Sequence, residues 1–129
     1  MNHRPTILFS DDEPLLVAAL QRQARRMGLD SIPDTTSDVQ ALAKRHRPAV
    51  IVLDLHQRID GRDLLAELKR DPETRDLKVI VLSAFEDQFV RRTCLELGAL
   101  GYELKPFDPS FIRKLARIAA TVAWNTQLH

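Results

Sequence analysis

Short apolar runs alternate along the chain with longer stretches in which apolar residues recur at helical spacing. Thr6-Ile7-Leu8-Phe9 reads as a first strand, and Leu16, Leu20, Ala24 and Met27 then follow at the period of an amphipathic helix. Pro14 falls in the first turn of that helix and Gly28 supplies its stop. Asp30–Ile32 reads as a weak second strand. Ser37-Asp38-Val39-Gln40 has capping-box form and opens a helix through Leu42 to His46. Ala49–Leu53 is apolar at consecutive rather than alternate positions, the pattern of a central parallel strand covered on both faces. Leu64, Leu65 and Leu68 line a third helix that stops at Asp71-Pro72, and Lys78–Leu82 is a second fully buried strand. Phe89, Val90, Cys94 and Leu97 give a fourth helix closed by Gly98, and Leu100–Leu104 a short fifth strand. Asp108-Pro109 caps a last helix carrying Phe111, Leu115, Ile118 and Val122.

Strand and helix in strict alternation imply an α/β doubly wound fold, a parallel sheet with right-handed crossovers and helices on both faces. The 129 residues, 44% of them hydrophobic, suit one compact domain over residues 1–129. Charged residues of both signs make up 29% of the chain and the net charge is +1, which argues against a strongly basic nucleic-acid footprint. No apolar run is long enough to span a bilayer, and the polar N-terminus does not read as a signal peptide. A single cysteine, Cys94, cannot form an intramolecular disulfide, and the chain is expected in a reducing cytoplasm.

In such sheets ligands bind beyond the carboxyl ends of the strands. Asp11 and Asp12 follow the first strand, Asp54 the third, Ser83 the fourth and Lys105 the fifth, so the fold would bring these residues to one edge. Crowded carboxylates repel one another and favour a hard divalent cation, and Mg²⁺ suits a site that leaves room for water and a phosphate oxygen. Asp54 extends from a rigid strand, a position fit for a nucleophile. Phosphoryl transfer needs mainly positioning and neutralisation of charge, which Mg²⁺, the Lys105 ammonium and the Ser83 hydroxyl would supply. Any one of these residues has an ordinary explanation as a turn, cap or loop residue; it is the joint placement that carries weight.

The segments Ile7–Glu13, Val50–Asp54, Val79–Ala84 and Gly101–Phe107 resemble the receiver domain of two-component response regulators, in particular chemotaxis regulators, over nearly the whole chain. The resemblance implies a flavodoxin-like fold with strand order 2-1-3-4-5. It makes Asp54 the phosphoacceptor, served by a histidine kinase or phosphotransfer protein, and makes Asp11, Asp12 and Asp54 Mg²⁺ ligands together with the backbone carbonyl at His56. Ser83 and Lys105 would contact the phosphoryl group, and Tyr102 takes the place of the family's switch aromatic. It also implies a cis bond at Lys105-Pro106, no enzyme activity beyond the domain's own phosphorylation and dephosphorylation, and a monomer or a weak phosphorylation-linked dimer.

The main departure is the segment Leu55–Gly61, which lacks the family's Met-Pro pair and is one residue short. His56 in it is either a solvent-facing loop residue or one that leans over the phosphoryl group. Cys94 reads as a small core residue, and Trp124 either covers the core edge or anchors a partner. Arg91, Arg92, Arg113, Lys114 and Arg117 make the outer faces of the last two helices basic. A solvated face is the ordinary explanation of that charge, while in receivers the surface of helix four, strand five and helix five carries output or dimer contacts, which an acidic partner surface would fit. The chain stops soon after the last helix, so signalling is expected to pass through protein contacts. Two rivals stand beside this reading: a degenerate receiver that docks unphosphorylated, and a phosphatase that forms an aspartyl-phosphate. The latter needs a second acid two residues after the nucleophile, where this chain has His56.

Overall fold

The computed structural model describes residues 4–106 and 108–128, with side chains as far as residue 122. Along the chain the elements are β1 (Thr6–Ser10), α1 (Pro14–Arg26), β2 (Asp30–Asp34), α2 (Val39–His46) and β3 (Val50–Asp54). They continue as α3 (Gly61–Arg70), β4 (Lys78–Ser83), α4 (Gln88–Glu96), β5 (Gly101–Leu104) and α5 (Pro109–Leu128). All neighbouring strands pair in parallel, in the order β2-β1-β3-β4-β5. This is the doubly wound arrangement that the hydrophobic pattern implies.

Consecutive apolar positions in the central strands serve two cores, because neighbouring side chains point to opposite faces of a sheet. Ile7, Phe9, Val50, Val52, Ile80 and Leu82 face α1 and α5, where they meet Val17, Leu20, Phe111 and Leu115. Leu8, Ile51, Leu53, Val79 and Val81 face the other way, onto Val39, Leu65, Leu68 and Cys94 of α2, α3 and α4. Every residue of β3 is buried, as its unbroken apolar run requires. β2 is an edge strand and tolerates Pro33, which pairs in register with Phe9. Asp30 donates its amide to the Pro5 carbonyl at 2.9 Å, and the Asp34 carbonyl accepts from Asp11 at 2.9 Å, so these residues turn their backbone groups towards β1.

Several local expectations need correction. Ser37-Asp38-Val39-Gln40 is not a capping box: Ser37 has φ 58, and Asp38, the N-cap, makes no side-chain capping bond. Ser37 turns instead towards the β3–α3 loop, and Gln40 donates to Asp71 Oδ2 at 2.9 Å and Thr74 Oγ1 at 3.1 Å. In α1 the buried stripe is Val17, Leu20 and Ala24; Leu16 only packs against it, and Met27 is an exposed C-cap residue. In α4 the inward residues are Val90, Cys94 and, just beyond, Leu97, whereas Phe89 lies about one residue's rotation off that stripe and is 75% exposed. The side chain of Trp124 and the whole of Phe107 lie outside the described residues. No described helix is long and apolar enough to cross a membrane.

Candidate functional site

The carboxyl ends of β1, β3, β4 and β5 bring Asp11, Asp12, Asp54, Ser83 and Lys105 to one edge of the sheet. The three carboxylates each offer an oxygen within 4.8 Å of the others. Asp11 and Asp54 are buried and Asp12 is exposed, so the cluster has a floor and an open side. Asp11 Oδ1 accepts from the Glu13 amide at 3.0 Å, which fixes the turn into α1. Lys105 reaches in from beyond β5: its Nζ lies 2.7 Å from Asp11 Oδ2, 3.5 Å from Asp54 Oδ1 and 3.5 Å from Glu13 Oε1. The Lys105-Pro106 peptide is cis.

Asp54 is held through one carboxylate oxygen and not through the other. Its Oδ1 accepts from the His56 amide at 3.2 Å, while its buried Oδ2 has no hydrogen-bond partner among the described residues. Burial, and then the neighbouring Asp11 charge, push the Asp54 carboxyl above its usual value, against the opposing pull of Lys105. For Lys105, burial alone would lower the ammonium; the hydrogen bond to Asp11 and the charges of Asp54, Asp11 and Glu13 outweigh it and raise it. The group is thus three carboxylates against one ammonium, with a bare buried oxygen at its centre. A hard cation with oxygen ligands fits that donor set. Those carboxylates would hold it, and it would neutralise charge on an incoming oxyanion.

Ser83 lies at the end of β4 and its Oγ sits in a tight turn with Phe85, accepting from the Phe85 amide at 3.1 Å and donating to the Phe85 carbonyl at 3.1 Å. The Tyr102 hydroxyl donates to that same carbonyl at 2.8 Å, so the Tyr102 ring is buried rather than turned to solvent. Outside the ring, the Arg91 guanidinium lies 4.9 Å from the ring centroid and pairs with Glu86 at 3.2 Å. The basic outer surface expected of α4 and α5 is therefore partly neutralised, since Lys114 also pairs with Glu103.

His56 is exposed, yet it is not simply a solvent-facing loop residue. Its Nε2 lies 3.4 Å from Ser83 Oγ and its ring meets that of Phe85 edge-on, with centroids 5.3 Å apart. The shortened loop is closed by a bridge between His56 and Asp60, and Asp60 caps α3 by accepting from the Arg62 amide at 2.9 Å.

Sequence reasoning missed Gln57 and Asp34. Gln57 Nε2 donates to the Asp54 carbonyl at 2.8 Å and reaches the Ser10 carbonyl at 3.2 Å. Buried Asp34 accepts from Ser10 Oγ at 2.8 Å and from the amides of Thr36 and Asp38 at 3.1 Å each. A glutamine in a polar loop has no signature of its own; only the path of the loop back across β1 reveals it.

Comparison with known proteins points to a fold and a family. Residues 7–117 match the family model described as the response regulator receiver domain. A probable transcriptional regulator, ycf27 of Porphyridium aerugineum, is 35% identical over 80% of this chain and 42% of its own length. The alkaline phosphatase synthesis transcriptional regulatory protein PhoP of Bacillus subtilis is 34% identical over 88% of this chain and 47% of its own. The chain thus spans about half the length of these relatives. The signal receiver domain of a LuxO repressor protein from Vibrio parahaemolyticus superposes with a TM-score of 0.87 at 19% identity, covering 98% of both chains, and so shares the fold. On these grounds the chain belongs to the receiver domain family of two-component response regulators.

Proposed function

We propose that this receiver domain takes a phosphoryl group onto Asp54 from a phosphohistidine on a histidine kinase or phosphotransfer protein, in a Mg²⁺-dependent reaction. The observation that carries the reading is the buried Asp54 Oδ2, without a partner among the described residues, at a strand end lined by Asp11, Asp12 and Lys105. In the transfer the Asp54 oxygen forms the new bond to phosphorus while the bond to the donor nitrogen breaks. Asp11, Asp12, Asp54 and the His56 carbonyl would hold Mg²⁺, which supplies charge neutralisation at the equatorial oxygens. Lys105 leaves its ion pair with Asp11 to neutralise one phosphoryl oxygen, and the Ser83 hydroxyl leaves the Phe85 carbonyl to donate to another. The Phe85 carbonyl, relieved of one donor, then passes the change to Tyr102 and the face of α4, β5 and α5, where a downstream protein docks.

Intact-mass measurement after incubation with a small phosphodonor and Mg²⁺ tests this. Wild type is expected to gain one phosphate and Asp54→Ala none. An adduct retained in Asp54→Ala would remove the site assignment. Mg²⁺ binding without any adduct on wild type would instead make the domain a docking module, and steady turnover of phosphomonoesters would make it a phosphatase.

A further inference from the structure

We propose that Gln57 is a positioning residue whose side-chain amide ties the ends of β1 and β3 together and so sets the carboxylate spacing at which a divalent cation binds. This rests on the metal-dependent reading above. The amide's orientation is fixed by its neighbours: two backbone carbonyls, of Asp54 at 2.8 Å and Ser10 at 3.2 Å, face Nε2, and only a donor suits that place. Nε2 also lies 3.2 Å from Ser10 Oγ, whose proton goes to Asp34. On the other side Oε1 accepts from Ser37 Oγ at 3.0 Å, and that hydroxyl in turn accepts from the Ile59 amide at 3.3 Å. One side chain therefore joins three connections: the end of β1, the turn after β2 and the loop after β3.

The two carbonyls it holds belong to the residue before Asp11 and to Asp54 itself. Those are the strand ends that present the buried carboxylates, whose mutual repulsion the single Lys105 ammonium offsets only in part when no divalent cation is bound. Mg²⁺ demands oxygens at near-ideal octahedral distances, so a site that splays loses affinity steeply. The loop around Gln57 contains no proline to stiffen it. Its own backbone closure is the His56–Asp60 bridge, to which the 3.0 Å bond from the Gly61 amide to the Leu55 carbonyl belongs. The Gln57 amide supplies the link that this closure lacks, from the loop to β1.

The test compares wild type with Gln57→Ala, which removes the amide and its volume, and Gln57→Met, which keeps the volume and removes the hydrogen bonds. Mg²⁺ affinity is read by titration calorimetry, folding without Mg²⁺ by urea midpoint, and phosphorylation by a small phosphodonor as a function of Mg²⁺. Both variants are expected to bind Mg²⁺ on the order of 10–100-fold more weakly, as loss of an outer-shell partner does, while the phosphorylation rate at saturating Mg²⁺ returns to that of wild type. Ser37→Ala, which frees only the Oε1 end, is expected to shift affinity in the same direction by less. Unchanged Mg²⁺ affinity in the folded variants would overturn the role of Gln57 alone, as would full recovery in Gln57→Met. Wild type that takes up no Mg²⁺ would overturn the metal-dependent reading, and the role of Gln57 with it.

Discussion

A Cβ placed on Gly61 would lie 2.5 Å from Leu55 Cα and 2.7 Å from the Asp54 carbonyl oxygen. Both are backbone atoms and neither can swing aside. Gly61→Ala is therefore expected to cost about 1–3 kcal/mol of stability, as overpacking does; a urea titration measures it. The same substitution should weaken Mg²⁺ binding, because the atoms displaced belong to Asp54 and its neighbour. Asp54 lends itself to a second substitution. Its ionised form is held at a disadvantage by burial and by Asp11, so without metal the carboxylate works against the fold at neutral pH. Metal-free Asp54→Asn should melt a few degrees above metal-free wild type, the equivalent of about 1 kcal/mol in a domain of this size. Calorimetry with added Mg²⁺ should raise wild type well above its own metal-free value and leave the variant nearly unmoved.

One side of α2 and the end of α3 are joined by polar contacts around Asp71, whose carboxylate accepts from Lys44 at 2.8 Å and from Gln40 at 2.9 Å. The Lys44 hydrogen bond holds this carboxyl below its usual value. A depressed folded-state pKa gives stability that is present above the unfolded value of about 3.9 and is lost as pH falls through the folded value. Lys44→Met should thus be less stable than wild type at neutral pH by a small margin, as exposed pairs are, and that margin should close in urea titrations taken down through the carboxylate range. The elements themselves were legible because burial on one or two faces writes a period into the sequence, and β3 and β4 are the clearest cases. Caps and faces were less so. Ser37 and Gln40 fit a capping box by type, yet both side chains found partners distant in sequence, Gln57 for one and Asp71 and Thr74 for the other. Phe89 is apolar at a plausible spacing, but a single residue's rotation carries it out of the core. Asp11, Asp54, Ser83 and Lys105 could be placed from strand ends alone, whereas Gln57 depends on the path of a loop, which no period records.

Across the molecule, Ser83 of the site and Tyr102 of β5 share one acceptor. The Phe85 carbonyl accepts from both Ser83 and Tyr102; on the proposed reading, a change in the Ser83 hydroxyl reaches the tyrosine through it. Tyr102→Phe should cost about 1 kcal/mol or less, since the carbonyl keeps its other donor, and should leave Asp54 phosphorylation by a small phosphodonor intact. Amide chemical shifts along α4 are expected to respond to phosphorylation markedly less in the variant than in wild type; equal responses would show that the signal takes another route. The far side of the sheet has a different consequence. Backbone groups alternate in direction along a strand, and Asp30 and Asp34 turn theirs towards β1, so the nitrogens of Ser31 and Pro33 point outward. Pro33 has no proton to give. A foreign strand arriving at that border would find one of the two donors it needs missing, which guards the domain against templated aggregation there however crowded its surroundings.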